Sequence, residues 1–109
     1  LLLDNLLIHP WQYRGCSRQR HTKARVIYPQ LAEIYNNRAL AKGRLGDTQA
    51  AIIDYTKAIA IDPQYDFAYN NRGVAKGLSG DLQGMCLDFR KGSSLGSKNA
   101  TKGLNQFCQ

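Results

Sequence analysis

Two amide pairs, Asn36-Asn37 and Asn70-Asn71, and two charged sets, Arg38 with Asp54 and Arg72 with Asp88, are where this 109-residue chain could do chemistry. An asparagine side chain offers both a donor and an acceptor, which suits capture of an extended backbone. An arginine could hold an anion, but Arg38 and Arg72 are expected to pair with Asp54 and Asp88 instead. No catalytic constellation emerges. His9 and His21 have no Cys or carboxylate partner at metal-ligand spacing, and no glycine-rich phosphate loop follows a strand. Cys16, Cys86 and Cys108 form an odd set at no redox or metal spacing. They read as isolated thiols in a reducing compartment, which points to a cytoplasmic protein. The expectation is a non-enzyme with no cofactor and no metal.

The spacing of these residues is itself the main signal. Tyr35-Asn36-Asn37-Arg38 returns 34 positions later as Tyr69-Asn70-Asn71-Arg72. Ala41-Lys42-Gly43 returns as Ala75-Lys76-Gly77, Gly46-Asp47 as Gly80-Asp81, and Gln49, Asp54 and Lys57 as Gln83, Asp88 and Lys91. All 12 identities fall between Tyr35 and Lys57. A fixed period of this length marks a stacked helical repeat. Upstream, Thr22-Lys23-Ala24, Ile27 and Pro29-Gln30 match Thr56-Lys57-Ala58, Ile61 and Pro63-Gln64, as the end of a preceding partial repeat.

Helix signals place the repeated residues on paired elements. Ala32 to Leu45 is expected as a first helix, with Tyr35, Ala39 and Lys42 along one face. Gly46 ends it in a left-handed conformation, and Asp47 caps the next helix, Thr48 to Ile61. Asp62-Pro63 stops that helix. Asp66 to Leu78 and Leu82 to about Leu95 repeat the pair, with early fraying expected at Gly92. Ser97 then caps a last segment, Lys98 to Cys108, which has Leu104, Phe107 and Cys108 on an apolar edge.

Composition limits the partners. Hydrophobic residues at 43% and charged residues at 21% describe a folded domain. More than half of the net charge of +7 sits in residues 1–31. Residues 1–31 hold five basic residues against one acidic, whereas residues 32–99 hold nine against seven. A basic cluster at Arg14, Arg18, Arg20 and Arg25, beside Trp11 and Tyr13, reads as a solvated disordered arm, with contact to nucleic acid or acidic lipid as the alternative. The Leu1 to Ile8 stretch is too short and interrupted for a membrane span. Residues 1–21 read as an irregular leader. Alternatively, an upstream frame slip replaces a repeat there, since codons for Trp11 to Arg18 read one base later can restore a repeat-like sequence. With no initiator Met, the chain reads as a fragment or a trimmed product.

On these motifs the chain resembles the tetratricopeptide repeat family, in its Tyr-Asn-Asn-Arg-Gly variety, over about residues 22–99. Ala39/Gly73, Ala51 and Ala58/Gly92 match its small positions, Tyr35/Tyr69 and Tyr55/Phe89 its aromatic ones, and Pro63 its helix-ending proline. Met85 departs at a small position, Ser97 at the proline, and Lys42/Lys76 where an aromatic is commoner. The resemblance implies an all-α fold of antiparallel helix pairs stacked into a right-handed superhelix, with a C-terminal capping helix. Its divisions would be the partial repeat 22–31, repeats 32–65 and 66–99, and the cap 98–109.

In such a stack the first helices line a groove. Glu33, Asn36, Leu40, Gly43 and Arg44 then face a partner, followed by Phe67, Asn70, Val74, Gly77 and Leu78. Chaperone-binding members hold a C-terminal carboxylate with a clamp of Lys, Asn and Arg. Here Asn36, Leu40, Phe67 and Asn71 stand at clamp positions, so the clamp is not carried over. Asn37 and Asn71 are expected as structural hydrogen-bonders between helices. The function expected is a protein–protein interaction scaffold that captures a partner peptide. RNA binding by the repeats is the alternative, and it would need a basic groove. Self-association or a purely structural role is a third reading.

Overall fold

A computed structural model describes residues 29–109 of the chain. These form five α-helices: α1 (Pro29–Arg44), α2 (Thr48–Ile61), α3 (Asp66–Leu78), α4 (Leu82–Ser94) and α5 (Lys98–Phe107). The irregular leader, its basic cluster, Cys16 and all but the last few residues of the partial repeat lie outside the described residues. The described part of α1 already includes Pro29, three residues before the expected Ala32.

Three turns with the same chemistry separate α1 from α2, α3 from α4 and α4 from α5. Gly46, Gly80 and Gly96 all take positive φ, from 90° to 102°. In each turn the next residue's N–H closes on a carbonyl five residues back, as in Asp47 N to Lys42 O at 2.9 Å and Asp81 N to Lys76 O at 2.8 Å. This double closure satisfies the last carbonyls of the helix. The following residue then caps the next helix: Asp47 accepts from Ala50 N, Asp81 from Gly84 N, and Ser97 from Ala100 N. The α2–α3 joint is different. Asp62 caps α2 and accepts from Gln64 N, while Pro63 prevents continuation.

Each helix packs on its chain neighbours, and α1 and α5 touch α3 lightly. Small residues make the pairing close. Ala39, Ala51, Tyr55 and Ala75 form one core cluster; Met85, Phe89 and Ala100 form a second, with Leu104 against it. The fold is thus an all-α helix-pair repeat followed by a single further helix packed on α4. The expected fraying at Gly92 does not occur, because α4 runs on to Ser94. Gly92 is buried against α5, where an added Cβ would meet Ala100 Cβ at 3.0 Å. Cys86 and Cys108 are also not isolated thiols. They are joined by a disulfide that ties the end of α5 to α4.

Candidate functional site

The two Tyr-Asn-Asn-Arg segments stand in the middle of α1 and α3 and divide their work between scaffold and surface. Arg38 Nε and Nη2 donate to the two oxygens of Asp54 at 2.7 and 2.9 Å, and Lys42 Nζ adds a third contact at 3.0 Å. Asp54 is 1% exposed, and the Arg38 hydrogen bonds hold its carboxyl down at about 2. The copy repeats this geometry. Arg72 grips Asp88 through two bonds of 2.8 Å, and Lys76 lies 3.3 Å away. Arg72 also donates from Nη1 to Thr56 Oγ1 at 3.2 Å, linking the second pair to the first. Both arginines are therefore committed to α2 and α4, as the sequence suggested.

The asparagines are distributed otherwise. Asn71 Nδ2 donates to Asn36 Oδ1 at 3.2 Å, and Asn70 Nδ2 approaches Asn71 Oδ1 at 3.5 Å. Asn36, expected on the groove, is turned inward and only 5% exposed, with Asn71 of α3 bonded to it. Asn71 does bond across to the preceding repeat, whereas Asn37 faces out. Asn70 remains half-buried.

Five of the ten expected groove residues, Leu40, Gly43, Arg44, Val74 and Leu78, surround one open hollow of about 180 Å³ between α1, the start of α2 and the end of α3. Val74 and Leu78 stay 46% and 77% exposed. Glu33, Phe67, Asn70 and Gly77 lie apart from it. Glu33 is exposed, Phe67 sits edge-on to Tyr65 at 6.2 Å, and Gly77 lies under Met85. The sequence reading missed Thr48, Ala51, Tyr55, Asn71 and Ala75, which complete the lining. Burial raises the Tyr55 hydroxyl pKa, and the Arg44 charge partly opposes that shift. The walls are mostly carbon, with one cation and one amide on them. Such a surface binds by shape and apolar contact.

Among the described residues no group of three His, Cys, Asp or Glu could hold a metal, and no helix is long and apolar enough to cross a membrane. Residues 32–65 match the family model described as tetratricopeptide repeat. The chain is similar to a solved structure, the first TPR of Spaghetti (RPAP3) bound to the HSP90 peptide SRMEEVD, with 28% identity and a TM-score of 0.67. That likeness covers 80% of this chain and 71% of the other. No curated protein matches the chain.

Proposed function

We propose that this chain, whose residues 32–65 match the tetratricopeptide repeat model, binds a segment of a partner protein along the face shared by α1 and α3. The observation that supports this best is the outward-turned carbon around the hollow, above all Val74 and Leu78. Contiguous apolar surface on a small domain marks a site of interaction. The similar first TPR of Spaghetti was solved with a peptide bound, which favours a peptide over a small molecule as the ligand class. The carboxylate clamp is not the means here, since Asn36, Leu40, Phe67 and Asn71 occupy its positions. Affinity comes instead from apolar contact, with Asn70 offering an amide to the partner's backbone. The stack is proposed to wind right-handed, with α1 and α3 on its inner side.

A charge placed among these carbons tests the reading. Val74→Glu buries a carboxylate against the partner and should weaken binding by about 2 kcal/mol, or roughly thirtyfold. The measurement is fluorescence anisotropy with a peptide taken from a phage-display selection on the wild-type chain. Circular dichroism should show an unchanged helix content, because Val74 is already half in solvent. Equal affinity of the two proteins would overturn the assignment of this face.

A further inference from the structure

The two repeats agree in sequence but differ in packing at the hollow. A shift of 34 positions carries Gly43 to Gly77, Ala51 to Met85 and Tyr55 to Phe89. In the second repeat Met85 lies across its glycine: a Cβ added at Gly77 would stand 2.5 Å from Sδ and 3.5 Å from Cγ. In the first repeat no side chain takes that place. A Cβ added at Gly43 would find only Ala51 Cβ, at 3.9 Å. The room that Met85 fills in one copy is the hollow in the other, and Leu40, Val74 and Leu78 extend its walls. Arg44 lines the hollow and no acidic side chain does, so its edge favours a negative group.

We propose that this hollow is an anchor pocket for one methionine- or leucine-sized side chain of the partner segment, with a carboxylate beside it that faces Arg44. The inference rests on the peptide-binding reading above and names the chemistry of the occupant. Met85 is the internal precedent, since a glycine and an aromatic ring in the same frame already hold a thioether chain. An unbranched or γ-branched apolar chain can enter between the helices and bring carbon against carbon. The neighbouring carboxylate stays at the rim, in water, and selects orientation more than it adds affinity.

The experiment selects a phage-displayed random-peptide library on the full chain, then measures the winning peptide by anisotropy against variants. Ala51→Met moves this chain's own methionine into the hollow, as in the second repeat. Gly43→Leu covers the mouth from the exposed side, where an added Cβ has ordinary room. The wild type should enrich Met or Leu at one position with Asp or Glu next to it. Both variants should lose about tenfold or more in affinity while thermal unfolding shows them folded; if one does not fold, the other decides. Arg44→Glu should change the selected neighbour from acidic to basic. Winners with no shared apolar position, or full affinity in a folded Ala51→Met or Gly43→Leu protein, would overturn the anchor. If Val74→Glu still abolishes binding in that case, the interaction face stands without it. If Val74→Glu binds normally, or no peptide is enriched, both readings fall.

Discussion

Asp54 is the residue on which the first repeat turns. Its carboxylate is out of solvent yet holds three charge-assisted contacts, two from Arg38 and one from Lys42. A carboxyl whose folded value is depressed stabilises the fold above its unfolded value, and that stability is lost as pH falls through the folded value. For Asp54 the window runs from about 4, the ordinary carboxylate range, down to about 2. The loss over that window is on the order of 2 kcal/mol. Asp54→Asn should therefore cost about 2 kcal/mol at neutral pH, as judged by urea unfolding, and should flatten the acid limb between those values. An acid limb as steep as that of the wild type would mean that other carboxylates carry it.

At the scale of elements, the contact between α4 and α5 is built from its glycines. α5 lies on α4 because Gly92 and Gly103 leave room: an added Cβ at Gly103 would stand 2.6 Å from Phe89 Cε2, against a rigid ring. Gly103→Ala should accordingly destabilise the protein by about 2 kcal/mol, although alanine is the better helix former. Thermal melts would show the loss, and a gain in stability would disprove the close approach. Gly92 illustrates why helix propensity alone misleads. It weakens α4 locally, yet α4 continues through it because α5 covers that turn. The linked turns at Gly46, Gly80 and Gly96 are opposite in character, since each depends only on residues a few positions away.

For the whole molecule, the stack is held by contacts between helices that are neighbours in the chain. The Cys86–Cys108 disulfide closes a segment of sequence separation 22 and fastens α5 across the second repeat. Reducing it, or replacing both cysteines by serine, should lower stability by about 3 kcal/mol through the freed chain entropy. A melt with and without reductant would read this as a fall of roughly 10 °C or more. An unchanged melting temperature would mean that packing of Phe89, Ala100 and Gly103 alone retains α5. Shifting Ile52 and Val74 by 34 positions gives Cys86 and Cys108. A covalent bond therefore stands in the second repeat where the first has a wall of the hollow and its neighbour.

The period of 34, the helices, the turns at Gly46 and Gly80, the caps at Asp47 and Ser97, and the Arg–Asp pairs were determined by the sequence itself. Those features come from chemistry between residues close along the chain, or from one pairing repeated in register, and both leave a mark in the letters. Tertiary structure alone decided that Asn36 faces inward, that Gly77 is covered while Gly43 is open, and that Cys86 meets Cys108. Each of these depends on the distance and angle between helices, which side-chain volumes across the interface set together. A single position such as Ala51 or Met85 carries no sign of that until its neighbours are in place.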